Sequence, residues 1–423
     1  MLWSDDKCIS LAISFVKSLR CVKCGTQFDP RKVVYSCQSC GERLDVTYDY
    51  EAIGDRISKD VIAGRQEAPC LKYGLLLPIF DFNKVPTLGE GATPLVHCRR
   101  LGEELKVGEL YVKDETRNPT GVFKDRATVI AANKALELKK EVVSIASTGN
   151  AAASMAAYAA KASLTCIVFV PEDTPVGKLS QSIAYGAKVV QIKGNYDQAY
   201  DLAVEASNVF GWYNCNPANN PFRTEGKKTL AYEICEQFDW VPPDWVIVPV
   251  GNGCNLAGIW KGLKEFNELD FISQKPRMVA IQPTGADTLV SAFKQKAESF
   301  APIIPRTIAG ALAIGKPRNY LKAMKSLKES NGIAESVTDE EILQAQSLLA
   351  RTEGIFSEPG GAAPLAGLIK LVRNGVIDSR DRVCCVATGN GLKDPEAPLR
   401  IATKPTPIAP TVEALRLLDV ARI

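Results

Sequence analysis

The stretch NPTGVFKDRA, Asn118 to Ala127, sets a lysine behind a Pro/Gly turn and a phenylalanine, at the head of an alanine-rich segment. Two readings of Lys124 follow. It is a solvated lysine at a helix start, or an amine kept from water that can attack a carbonyl or carry a proton. The rest of the chain narrows the chemistry. There is one histidine, His97, in TPLVHCRRLG, and it has the look of a loop or surface residue. A Ser-His-Asp or Cys-His centre would have to use it. Proton transfer therefore falls to Lys, Asp, Glu or Tyr.

A second constellation lies near the amino terminus. Cys21, Cys24, Cys37 and Cys40 stand as CVKCGTQFDPRKVVYSCQSC, and each CxxC pair is followed by a glycine, Gly25 or Gly41. Four thiolates on two such knuckles suit a tetrahedral Zn²⁺. With all four positions filled, the site is expected to be structural; the other reading is four unliganded buried cysteines. Cys8 falls outside the pattern.

Glycine, asparagine, serine and threonine gather where apolar runs end. VVSIA leads into Ser147-Thr148-Gly149-Asn150, WVIVPVG into Gly251-Asn252-Gly253-Cys254-Asn255, EGIFSEP into Gly360-Gly361, and RVCCVA into Thr388-Gly389-Asn390-Gly391. In open α/β sheets ligands sit at the carboxyl ends of strands. The second loop is the best anion cradle, because glycine lets amides approach a phosphate and a helix start adds its dipole. A plain helix-start turn remains its bland reading. With such a cradle, Lys124 reads functionally as a Schiff-base lysine holding pyridoxal 5′-phosphate, with Asn150 near the ring oxygen and Thr388 at the ring nitrogen.

The elements that must position these residues follow from patterning. Apolar, β-branched runs at 142–146, 165–171, 188–194, 245–251, 277–283 and 381–389 alternate with helical periodicity. That alternation predicts α/β architecture with parallel-rich sheets flanked by helices. Thr338-Asp-Glu-Glu341 predicts a capping box. Residues 1–50 form the cysteine segment, 51–84 a connector, and 85–423 the main body. Charge is balanced at +3, with 51 basic against 48 acidic residues, so no nucleic-acid face is expected. No apolar run is long enough to span a membrane, the stretch 1–20 is not expected to be a signal peptide, and 13 cysteines in so long a chain suit a reducing cytoplasm.

In order along the chain, LGEGATPL (88–95), NPTGVFKDR, ASTGNAA (146–152), GKLSQSIAYGAKVV, NPFRTEGKKTLAYEI, PVGNGCN, DEEILQA and ATGNGLKDP (387–395) resemble the threonine synthase family. That family lies within the fold-type-II pyridoxal-phosphate enzymes, with tryptophan synthase β. The resemblance covers about 85 to 396, and the cysteine segment is similar to the zinc ribbon of archaeal and bacterial members. It implies a two-lobed fold, with a small lobe at about 126–239 and a large lobe at about 85–125 and 240–423. It implies Lys124 as the catalytic lysine, Asn150, Gly251 to Asn255 and Thr388 as cofactor contacts, and Ser147, Thr148, Lys178 and Arg223 as substrate contacts. The implied reaction turns O-phospho-L-homoserine and water into L-threonine and phosphate, in a homodimer. Val122, Ala151, Gly360-Gly361 and Asn390 depart from the family's Ser, Thr, Ala-Ser and His. The lost hydroxyls keep open a paralogue performing β-elimination or β-replacement, of dehydratase or cysteate/cysteine synthase type. A non-catalytic binding protein is the other alternative.

Overall fold

The computed structural model describes residues 14–401 and 405–417. Cys8 and the first part of the 1–20 stretch lie outside the described residues. Strands β1 (Val16–Cys21), β2 (Gln27–Phe28) and β3 (Leu44–Tyr48) form an antiparallel ribbon in the order β2-β1-β3. Its apolar residues Leu19, Leu44 and Val46 share one core with Ile53 and Tyr73 of the connector. The ribbon is thus packed onto the body. The connector's run Leu71–Leu76 is a 3₁₀ turn that buries Tyr73, whose hydroxyl donates to Glu236 at 2.6 Å.

The main body carries β4 (Leu95–His97), β5 (Glu109–Asp114), β6 (Val142–Ala146), β7 (Thr165–Pro171), β8 (Lys188–Ile192), β9 (Tyr213–Asn214), β10 (Trp245–Pro249), β11 (Arg277–Pro283), β12 (Ile333–Val337) and β13 (Arg382–Ala387). They make two sheets, β12-β11-β10-β13-β5-β4 and β8-β7-β6-β9. Every neighbouring pair is parallel except β4 with β5. Continuous burial along β10 and β11 accounts for their unbroken apolar runs.

The apolar runs at 142–146, 165–171 and 277–283 are strands over the expected residues, and the others stop at Ile192, Pro249 and Ala387, where glycine-rich ends leave the sheet. Four strands, β4, β5, β9 and β12, were not anticipated. β5 was masked by Lys113, which is fully buried yet points its ammonium at Glu233 (2.8 Å), Gln237 (2.8 Å) and the Thr93 carbonyl (2.6 Å). The capping box is present: Thr338 Oγ1 accepts from Glu341 N at 3.1 Å, and Glu341 returns a carboxylate oxygen to Thr338 N at 2.8 Å.

Strand order decides what meets at the carboxyl ends. β13, last in sequence, lies between β10 and β5. The loops after β5, β13 and β10, which hold Lys124, Thr388 and Gly251–Asn255, therefore emerge side by side. Among the described residues no helix is long and apolar enough to cross a membrane.

Candidate active site

The Lys-Asp-Arg triplet sends three side chains to three places. Lys124 opens the helix Lys124–Glu137 and points into a cavity. Asp125 accepts from Thr120 N (2.7 Å), Thr120 Oγ1 (2.6 Å) and Ser154 Oγ (2.6 Å), tying the Pro/Gly turn to the helix Asn150–Lys161. Arg126, fully buried, donates to Glu115 and Glu233, each at 2.7 Å. Two buried carboxylates on one guanidinium fix the helix start, since breaking such a group leaves an uncompensated charge. Gly121, at φ +78°, turns the chain where the next loop lies close. There Phe123 N donates to the Thr388 carbonyl at 2.8 Å, and Asn390 N to the Gly121 carbonyl at 2.9 Å.

Glycines also set the distances between helices. A Cβ at Gly226 would lie 1.8 Å from the Arg126 carbonyl oxygen, and one at Gly258 2.8 Å from Lys227 Cβ. The short helix Phe222–Lys227 is thereby pressed between the lysine helix and the helix Cys254–Glu268.

The resulting cavity has a volume of about 480 Å³, ample for a small cofactor and an amino acid. Lys124, Ser147, Thr148, Asn150, Lys178, Gly251 to Asn255 and Thr388 all line it. The Gly251–Asn255 turn runs into the helix Cys254–Glu268 through Gly253 at φ +88°. No protein group accepts from the amides of Asn252 to Leu256, which leaves a row of donors at a positive helix end. Asn252 is itself held, its side chain accepting from Arg318 N at 3.2 Å and its carbonyl from Asn319 N at 3.0 Å.

Burial pulls the Lys124 ammonium below its ordinary pKa, with Arg223 adding to the effect against the opposing pull of Glu358. An amine so placed spends more time unprotonated than a surface lysine does. Glu358 is raised by burial and accepts from Asn150 Nδ2 at 2.7 Å.

Arg223 is not a wall residue. It is 2% exposed, and its guanidinium reaches Thr128 Oγ1 at 3.4 Å and Met155 Sδ at 3.9 Å. Lys178 stands at the mouth, 3.7 Å from Asp394. His97 is exposed on β4, stacked on Tyr111 at 4.6 Å and away from the cavity. The sequence reading missed Glu358, Lys227, Gln181 and Lys393, all in the walls. Glu358 and Lys227 were nonetheless in view, inside EGIFSEP and NPFRTEGKK.

At the ribbon, the four cysteine sulfurs lie within 4.8 Å of one another. Gly25 and Gly41, at φ +77° and +74°, donate their amides to the carbonyls of Cys21 (3.1 Å) and Cys37 (2.8 Å), so the two knuckles repeat one geometry. Sulfur pairs at 3.5 Å approach the spacing that Zn–S bonds of about 2.3 Å impose in a tetrahedron.

Residues 86–389 match the family described as pyridoxal-phosphate dependent enzyme. The chain is 47% identical to a threonine synthase of Methanocaldococcus jannaschii, over 94% of its own length and 98% of that protein. It is 42% identical to a threonine synthase of Methanosarcina acetivorans, over 94% of its own length and 97% of the other. Among solved structures it is similar to a bacterial-type threonine deaminase from T.th., with a TM-score of 0.62 and 26% identity over 73% of this chain and 95% of that one.

Proposed function

The chain belongs to the pyridoxal-phosphate dependent enzymes, and we propose that it converts O-phospho-L-homoserine and water to L-threonine and phosphate. The observation that carries this reading is near end-to-end likeness to threonine synthases, at 47% identity in the first of them. The residues present fit the cofactor: a partly desolvated lysine, a glycine turn with free amides, and Asn150 and Thr388 on one cavity.

When bound, pyridoxal phosphate supplies an electrophilic aldehyde and a conjugated ring that holds the electron pairs left as protons leave substrate carbons. The protein's own groups do the rest. The amides of the Gly251–Asn255 turn grip an anionic tail. Glu358 fixes Asn150, which orients the ring oxygen, and Thr388 offers its hydroxyl to the ring nitrogen. Lys124 Nζ, short of a proton because it is buried, takes the proton from the substrate α-carbon and serves the later transfers from close range. Ser147 and Thr148, beside the start of the helix Asn150–Lys161, receive the substrate carboxylate. Phosphate leaves the γ-carbon, and water adds its oxygen at the β-carbon.

The substrate's phosphate meets Lys178 at the mouth and the field of Arg223 behind the inner wall. Arg223→Ala is expected to raise KM for O-phosphohomoserine about ten- to a hundredfold, with a smaller change in kcat. Steady-state kinetics check this, and unaltered kinetics would remove Arg223 from the substrate site.

The departures from the family pattern cost fewer donors than the sequence suggests. Val122 is fully buried and is not in the cavity wall. A Cβ at Gly361 would lie 3.1 Å from Thr388 N and 3.2 Å from Gly389 N, so a serine there would crowd the Thr388 loop. Of Val122, Ala151 and Gly361, only Ala151 faces the cavity. A parallel product assay with O-phosphohomoserine, threonine, serine and O-phosphoserine tests the reading. Threonine and phosphate from the first substrate support it; dominant turnover of any of the others overturns it.

The four thiolates of Cys21, Cys24, Cys37 and Cys40 would hold Zn²⁺ in a closed, structural site. Removing the metal with a chelator is expected to lower Tm by at least about 5 °C, with turnover per folded molecule unchanged. Calorimetry with metal analysis checks it, and an unmoved Tm would contradict the structural role. Twelve free cysteines among the described residues support a reducing cytoplasm. We also take the small lobe as about 126–239 and the assembly as a homodimer, on the family resemblance.

A further inference from the structure

One buried cation of the cavity has no part in the reading above. Lys227 ends the helix Phe222–Lys227, is 4% exposed, and lines the same cavity as Lys124 and the glycine turn. Its Nζ donates to Asn255 Oδ1, in that turn, at 3.0 Å. Among the described residues it forms no ion pair. Its neighbour Lys228 shows the contrast, being held by Glu225 and Glu265, each at 2.9 Å.

A buried ammonium without an anion is costly, by several kcal/mol after relaxation, and such groups are retained where something neutralises them. The charges around Lys227 do not. Lys124 and Arg223 repel it, and with burial as the larger cause its pKa falls to about 7, against the opposing pull of Cys254. Nor can it swing away. Gly258 lets the Lys227 Cβ pack against the helix Cys254–Glu268, and Gly226 holds the same helix end against the lysine helix. The site it faces is short of negative charge, because the amides of Asn252 to Leu256 are donors without acceptors.

We propose that Lys227 completes the anion site of the Gly251–Asn255 turn, its ammonium binding the phosphate monoester dianion seated on those amides, which is the cofactor's phosphate. The inference rests on the reading that pyridoxal phosphate occupies this cavity. The substrate is also a phosphate monoester, so the test separates the two sources.

Cofactor-free protein is titrated with pyridoxal phosphate and with pyridoxal, which lacks the phosphate, and binding is followed by absorbance and intrinsic fluorescence. Lys227→Gln is expected to weaken pyridoxal phosphate binding about ten- to a hundredfold and pyridoxal binding less than about threefold, with Lys227→Arg recovering most of the loss. Inorganic phosphate is expected to raise the Tm of the cofactor-free wild type and not that of Lys227→Gln. Equal weakening for both ligands, or none for either, overturns the proposal. So does an unchanged cofactor affinity with a raised KM for O-phosphohomoserine, which would assign the lysine to the substrate. Should Lys227→Gln not fold, Lys227→Arg and the phosphate-dependent Tm of the wild type decide, and a wild type insensitive to inorganic phosphate overturns it. A wild type that binds no pyridoxal phosphate would instead sink the functional reading, and this inference with it.

Discussion

Lys124→Ala is expected to remain folded, to bind pyridoxal phosphate without a covalent link, and to lose at least about a thousandfold in turnover. Folding should survive because the Lys124 side chain points into a cavity and its neighbours Asp125 and Arg126 make the structural contacts. Alanine is also a better helix former than lysine. Turnover should collapse because among the described residues no histidine lines the cavity to take over proton transfer. Lys227, the nearest substitute amine, is held at Asn255 by its packing against Gly258. Steady-state assays with O-phosphohomoserine and circular dichroism read the two halves of the prediction. Turnover within tenfold of wild type would remove Lys124 from the catalytic role.

The second large effect is structural, and the site depends on it. At Gly226 an added Cβ would lie 1.8 Å from the Arg126 carbonyl oxygen and 2.9 Å from Ala127 Cα. Both obstacles are backbone, and Arg126 is clamped by Glu115 and Glu233, so the lysine helix cannot easily retreat. Overpacking usually costs about 1–3 kcal/mol where side chains can shift. Here Gly226→Ala is expected to cost more than about 3 kcal/mol, or to prevent soluble expression. Gly177→Ala, where the new methyl meets nothing within 4 Å, is the control and should melt close to wild type. Equal melting of Gly226→Ala and wild type in thermal denaturation would contradict the close helix contact.

How much of this was legible in the sequence depends on what each residue's signal was. Strands buried on both faces announced themselves as unbroken apolar runs, and the glycine turns at their ends marked the ligand side. β5 hid because Lys113 sits in its interior, and only the tertiary fold brings Glu233 and Gln237 to it. β9 hid because two residues, Tyr213 and Asn214, carry no periodicity. Lys124, Asn150, the Gly251–Asn255 turn and Thr388 were found because short motifs held them. Arg223 was found for its charge, yet its place behind the wall is set by the packing of Gly226, which spacing does not reveal. Lys227 went unremarked because nothing in one dimension separates it from Lys228. In three dimensions one faces carboxylates and the other faces a row of free amides.

The central claim is a covalent bond between the Lys124 amine and the aldehyde of a cofactor whose phosphate rests on residues 251–255. Borohydride reduction of the holoenzyme, followed by proteolysis and mass spectrometry, reads that bond directly. The expected result is the cofactor's mass on the peptide carrying Lys124 and on no other. The same mass on Lys227 or Lys178, or an unlabelled protein, would contradict it.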